Sequence, residues 1–141
     1  MTISLLKIPI DSTKEIKEIR KDVFTDELNI PESYMFDEYD KTCDQFLIKN
    51  DEITVGALRL RKENNAIKLE RMAILSKFRK MSFGIKAINE VKKYCTTKCE
   101  SKIFLDSIYN IRDFYKKCGF TEIGDIFERV GFRHIRMEMS I

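Results

Sequence analysis

Apolar and polar positions change period several times along the chain, and each change marks an element. Residues 3–8 (ISLLKI) read as a first strand. Ser12 followed by Glu15 has the spacing of a helix capping box. Ile16, Ile19, Val23 and Phe24 then recur at helical spacing and predict an amphipathic helix. Pro31 ends or redirects the chain in an acidic loop. Residues 45–49 and 53–61 read as strands joined by a turn at Asn50-Asp51. A polar turn at 62–65 leads to a third strand at 66–75. A helix is expected from about Gly84 to Tyr94, with Ile85, Ile88 and Val91 on one face. Residues 102–106 (KIFLD) read as a buried strand. A short helix from about Asn110 to Cys118 stops at Gly119, a residue suited to a helix C-terminus. Two last strands cover roughly 120–128 and 132–139. The order β, α, β-meander, α, β, α, β-hairpin predicts a mixed sheet with helices on its faces.

Composition narrows the class. The 141 residues suit one domain, and no repeat, linker or low-complexity stretch divides them. No apolar run approaches the ~18 residues of a membrane span, and the N-terminal segment turns acidic too soon for a signal peptide. A soluble, cytoplasmic chain with no membrane partner is therefore expected. The 26 Lys+Arg against 23 Asp+Glu leave a net charge of +3, too little to argue for nucleic acid. The distribution is more telling. Asp22 to Asp44 contains eight acidic residues and one basic residue, Lys41, and the balance turns basic afterwards. Cys43, Cys95, Cys99 and Cys118 form no C-x-x-C pair, and His134 is the single histidine. Zinc-ligand spacing is absent, no metal is expected, and reduced thiols are the default.

Two segments carry candidate chemistry. The first is MAILSKFRKMSFGIKAI, where a strand ends, a loop carries Arg79, Lys80, Ser82 and Gly84, and a helix begins. The first turn of a helix presents unpaired N–H groups and partial positive charge, and small residues let a ligand approach that backbone. Such a junction suits a phosphate or pyrophosphate, and it equally suits a merely capped helix. The second is FYKKCGF, residues 114–120. Its Tyr115 phenol can donate a proton, or the Phe/Tyr pair can simply anchor a helix on the sheet.

Together, at this spacing, the two segments resemble the GNAT superfamily of acyl-CoA-dependent N-acyltransferases. That family's acyl-CoA loop reads Gln/Arg-x-x-Gly-x-Gly/Ala; here it reads Arg79-Lys80-Met81-Ser82-Phe83-Gly84, with Ser82 at the first glycine position. FYKKCGF matches the family's Phe-Tyr-x-x-x-Gly-Phe pattern at every fixed position. The chain also resembles the ElaA/YjcF-like branch through Ile19-Arg20, Val23-Phe24 and Glu27, then Pro31 and Asp37-Glu38-Tyr39-Asp40. Val55-Gly56, Arg59-Leu60 and Glu70-Arg71 continue the match, and Phe127, Glu128, Gly131, His134, Ile135 and Met137 fit the closing segment. Where the branch often has Ala-Gln after the fifth strand, this chain has Ser107-Ile108.

The resemblance implies an α/β (α+β) GNAT-type single domain over residues 1–141, with a central mixed, mostly antiparallel sheet and helices on both faces. It implies direct transfer of an acetyl group from acetyl-CoA to a primary amine. Tyr115 occupies the position of the acid that protonates the leaving thiolate. Glu70 is a candidate proton acceptor, or else a partner for Lys68, Arg71 or Arg59. Backbone groups of Met72, Ala73 and Ile74 are expected to pair with the pantetheine arm. Arg79 and the amides from Lys80 through Met81, Ser82, Phe83 and Gly84 to Ile85 are expected to hold the pyrophosphate. Serine keeps its backbone N–H, so this loop should work where residue 82 needs no positive φ. Asp37, Glu38 and Asp40 offer a surface for a cationic amine acceptor. His134 is a further candidate for proton transfer. A non-catalytic acyl-CoA-binding module is the alternative, favoured by Ser82 and Ile108. A nucleic-acid-binding domain using Arg79, Lys80, Lys92, Lys93, Lys116 and Lys117 lacks interleaved aromatics. Edge-strand pairing makes a homodimer plausible by analogy.

Overall fold

The computed structural model describes residues 2–141. Strand β1 spans Ile3–Ile8. The first helix starts as α1, Lys14–Arg20, and continues as a π-helical stretch over Lys21–Glu27. The acidic loop forms two 3-10 turns, Glu32–Met35 and Glu38–Lys41. The meander follows as β2 (Asp44–Asn50), β3 (Ile53–Glu63) and β4 (Ala66–Ile74). Helix α2 spans Phe83–Thr97, and β5 spans Lys102–Ile108. Helix α3 is short, Arg112–Lys117, and the hairpin β6 (Thr121–Arg129) and β7 (Phe132–Ser140) ends the fold.

One difference from the sequence expectation lies at the first helix. Thr13, not Ser12, precedes its first turn, and no side chain caps it. The Ser12 amide is already drawn back to the Pro9 carbonyl at 2.9 Å, in a turn that ends before the helix.

The seven strands form a single sheet in the order β1-β2-β3-β4-β5-β7-β6. Every neighbouring pair is antiparallel except β4 with β5. Strand alternation sends successive side chains to opposite faces. Phe46, Ile48 and Leu58 therefore join a core built on α2 through Phe83, Ala87, Ile88 and Val91. Leu47, Ala57 and Ala73 face the other way and pack under Ile16, Ile19 and Val23 of the first helix. The central strands are covered on both sides, which explains their near-continuous apolar runs. Gly56 of β3 faces β4 so closely that a Cβ there would overlap the Ala73 carbonyl oxygen.

Two irregularities open the sheet at its middle. The parallel β4–β5 pairing covers only Ile67 with Ile103 and Lys68 with Phe104, although β4 continues to Ile74 and β5 to Ile108. The two strands thus part company after one short ladder. The second irregularity is a bulge in β4. Ala57 pairs with Ala73 and Arg59 with Glu70, so Arg71 and Met72 together oppose Leu58. Arg71 takes up the extra length with φ +53°, the left-handed region. Among the described residues, no helix is long and apolar enough to cross a membrane.

Candidate active site

The splay between β4 and β5 holds two adjoining cavities. The larger, about 560 Å³, lies between the C-terminal half of β4, the loop before α2, and the π-helical stretch. The smaller, about 160 Å³, lies toward the acidic loop and the β6–β7 turn. Phe24, Met72, Ile108, Ile111 and Tyr115 line both, so the cavities meet at these side chains.

The larger cavity gathers most of the residues singled out for binding acetyl-CoA. Met72, Ala73, Ile74, Arg79, Lys80, Ser82, Phe83, Gly84 and Ile85 all belong to its wall. Met81 does not; its side chain is turned out and exposed. The loop reaches α2 by two left-handed residues, Lys80 at φ +63° and Ser82 at φ +64°. Position 82 thus requires the positive φ that glycine adopts freely, and serine adopts it here at a cost of roughly 1 kcal/mol. The Ser82 side chain makes no capping bond, and the first turn of α2 carries no acidic residue. The first amides of a 15-residue helix and its dipole are consequently left for an anion. A Cβ on Gly84 would lie 2.8 Å from the ring tip of Phe114. That glycine lets α3 approach the start of α2 and sets Phe114 edge-on to Tyr115, with centroids 5.0 Å apart.

Arg79 differs from its expected role. Its guanidinium binds Glu27 through two nitrogens at 2.7 and 2.9 Å, and its Nε donates to the Ile74 carbonyl at 2.9 Å. It ties the π-helical stretch to the end of β4 and acts as a strut in the cavity wall. The sequence pattern includes Glu27 but says nothing of its partner. Phe24 and Leu28, which also line this cavity, are brought there by the same π-helical stretch.

Tyr115 stands at the junction of the cavities and is 9% exposed. Burial pushes its phenol pKa up, so the group keeps its proton at ordinary pH. Among the described residues, no hydrogen bond engages its hydroxyl. Glu70 lines the smaller cavity but is surrounded by cations. Its Oε1 accepts from Arg59 at 2.9 Å and Arg61 at 3.0 Å, and its Oε2 lies 3.4 Å from the Lys68 ammonium. Burial alone would raise its pKa; the Arg61 hydrogen bond and the Arg59 and Lys68 charges outweigh it and hold Glu70 at about 2. Of the partnerships that the sequence left open, those with Arg59 and Lys68 are found. A carboxylate so stabilised is a poor proton acceptor.

Asp37, Glu38 and Asp40 line neither cavity. Asp37 receives both terminal nitrogens of Arg59, at 2.7 and 2.8 Å. Asp40 receives Arg20 at 2.9 Å and Arg59 at 3.0 Å. Glu38 points to solvent. The acidic loop is thus folded inward on two arginines that are 1% and 0% exposed. Its charge is largely consumed inside the protein. Sequence reading missed this because the partners lie on the first helix and on β3.

His134 lies on β7 opposite Ile108, lines the smaller cavity and is 7% exposed. Its Nδ1 is 2.9 Å from the Phe132 carbonyl oxygen, which can only accept. Nδ1 therefore carries a hydrogen, which leaves Nε2 as the ring nitrogen without this contact. Its ring stacks on Phe127 at 5.6 Å. The thiols take no part. Cys43, Cys95 and Cys118 are buried, and burial pushes each up to about 11.

A mixed sheet split at a parallel pair, with an uncapped helix start beside the split, forms a cleft suited to an anionic ligand. The chain belongs to the GNAT acetyltransferase family, whose domain model matches residues 13–141. It is similar to the uncharacterized N-acetyltransferase YjcF of Bacillus subtilis (strain 168), with 27% identity over 128 residues, covering 90% of this chain and 91% of that one. Its fold is similar to that of Escherichia coli ElaA, with a TM-score of 0.81 and 19% identity over 97% of this chain and 99% of that one. It is also similar to a GNAT family acetyltransferase from Elizabethkingia anophelis crystallised with acetyl-CoA bound. There the TM-score is 0.75 and the identity 15%, over 99% of this chain and 98% of that one.

Proposed function

We propose that the protein transfers an acetyl group from acetyl-CoA directly to the primary amine of an acceptor. The observation that carries this reading is the meeting of the two cavities at Met72, Ile108 and Tyr115. Donor and acceptor enter from opposite sides and touch there, so transfer needs no covalent enzyme intermediate. The family match and the acetyl-CoA bound to a structural neighbour support the choice of donor.

The residues fit that donor. The uncapped first turn of α2 suits the pyrophosphate, and the unpaired edge of β4 at Met72 to Ile74 suits the pantetheine amides as an added strand would. Acetyl-CoA supplies the activated thioester, and this chain's residues position it and move protons. The β4 bulge frees backbone groups at Arg71 and Met72, suited to the carbonyl oxygen as negative charge develops. Tyr115 keeps its proton and hydrogen-bonds the departing sulfur, which takes up, by way of that phenol, the proton that the acylated nitrogen sheds. The acceptor enters mostly as an ammonium and must lose a proton before attack. His134, whose Nδ1 is engaged by the Phe132 carbonyl and whose ring lines the smaller cavity, takes that proton through Nε2; Glu70, held at about 2, is unsuited.

Steady-state acetylation of a panel of amines tests the reading. Tyr115→Phe should lower kcat roughly a hundredfold and leave the KM for acetyl-CoA nearly unchanged. His134→Asn should lower kcat and leave the KM for acetyl-CoA nearly unchanged. Failure of the wild-type protein to bind acetyl-CoA would overturn the donor. Full turnover by Tyr115→Phe would remove that residue from the chemistry.

A further inference from the structure

The smaller cavity sits where the acceptor must lie, and its charge argues against a cationic acceptor. Lys68, Arg71 and Arg129 line it, against Glu70 and Asp106. Both carboxylates are already committed. Glu70 faces Arg59, Arg61 and Lys68, while Asp106 faces Lys68 at 3.1 Å, Arg129 at 3.3 Å and Arg136 at 2.8 Å. The connected network around the cavity contains seven cations (Arg20, Arg59, Arg61, Lys68, Arg71, Arg129, Arg136) and five carboxylates (Asp37, Asp40, Glu63, Glu70, Asp106) among the described residues.

Arg71 is where the excess is concentrated. It sits at the β4 bulge, beside the shared wall residue Met72. Its contacts are long, 3.2 Å to Asp37 and 3.4 Å to the Met35 carbonyl, and Arg59 already holds the same Asp37 oxygen at 2.8 Å. Burial, then the charge of Arg59, push its pKa down, the sign of a guanidinium short of negative partners. Arg129, also on the cavity wall, stands over the Phe127 ring at 5.1 Å and has a 3.3 Å contact to an aspartate it shares with two other cations, and its side chain is 52% exposed.

We propose that Arg71 and Arg129 form an anion subsite in the acceptor cavity, so that the acceptor is a small amine that also carries a carboxylate. A guanidinium matches a carboxylate with two parallel hydrogen bonds. The cavity, at about 160 Å³, is close to one that holds a benzene-sized molecule, which suits an amino acid and not a long polyamine. The carboxylate would neutralise the excess while the amine reaches the junction at Met72 and Tyr115. The inference rests on the acetyltransferase reading and replaces Asp37, Glu38 and Asp40 as the acceptor-selecting residues.

The test compares amino acids with their decarboxylated amines, lysine with cadaverine and histidine with histamine, and adds spermidine. The amino acids should show at least ~10-fold higher kcat/KM than the matched amines, a factor expected of one charge-assisted pair. That preference should fall several-fold in Arg71→Gln and in Arg129→Gln, the second serving where the first does not fold. A preference for cadaverine or spermidine would overturn the subsite and leave the acetyltransferase reading standing. If no amine is acetylated, the transfer reading falls, and calorimetry on the CoA-saturated protein still decides the subsite. N-acetyl-lysine must then bind more tightly than N-acetylcadaverine, and equal binding would overturn it.

Discussion

Ser82 is the residue where local conformation and ligand binding meet. It holds φ +64° at the start of α2 and uses no side-chain cap. Glycine would relieve the left-handed strain, offset in part by the greater freedom of a glycine in the unfolded chain. Ser82→Gly should therefore stabilise the protein by about 0.5–1 kcal/mol, seen as a rise of a few degrees in the thermal midpoint. It should leave acetyl-CoA affinity equal or tighter, because the loop amides keep their positions. A lower midpoint would show that the hydroxyl supports the loop in some other way. The departure from a glycine pattern was visible in the sequence. Its consequence was not, because φ at residue 82 depends on how the loop joins β4 to α2.

At the scale of elements, the first helix and the β4–α2 loop are joined by Glu27 and Arg79. The two side chains are 34% and 41% exposed, so the pair adds little to stability. Its effect is electrostatic: Glu27 neutralises a cation beside the loop proposed to hold the pyrophosphate. Glu27→Gln should leave the thermal midpoint within a few degrees. It should lower the KM for acetyl-CoA roughly two- to fivefold at low ionic strength, and the gain should vanish in high salt. A raised KM would mean that the pair shapes the wall and that its charge is secondary. The elements themselves are nearly all legible in the chain. Strand β1 runs over residues 3–8 as the alternation predicts, and helix α2 and β5 each extend a few residues past their expected ends. The π-helical stretch is not legible, because residues 21–27 keep an ordinary helical pattern while tertiary packing selects the wider turn.

For the whole molecule, the charged network ties the acidic loop and the first helix to strands β3 to β7. Asp40, Glu70 and Asp106 are each partly buried. Burial would raise them, and their arginine, lysine and amide partners hold each at about 2. In the unfolded chain they return to about 4, so between these values the unfolded state binds more protons. Their contribution is present above pH ~4–5 and is lost as the pH falls toward 2. Urea unfolding should give a nearly constant free energy from pH 8 to 5. Below that it should fall by about 1.4 kcal/mol per pH unit for each group that takes up a proton on unfolding. Unchanged stability between pH 5 and 3 would show that these ion pairs do not hold the sheet and loop together.

The chain by itself determined the order of strands and helices, the small-residue loop at the start of α2, and the FYKKCGF segment with Tyr115. These depend on period, turn residues and neighbours within a few positions, all of which are local. Only the tertiary structure decided that β4 and β5 part after one short ladder, that the β4 bulge turns Arg71 left-handed, and that Asp37 and Asp40 face inward. It also decided the charge of the acceptor cavity. An acidic run reads as a negative surface until distant arginines on β3 and the first helix are placed against it. Coulombic neutralisation acts through space, and sequence spacing does not reveal which charges will meet.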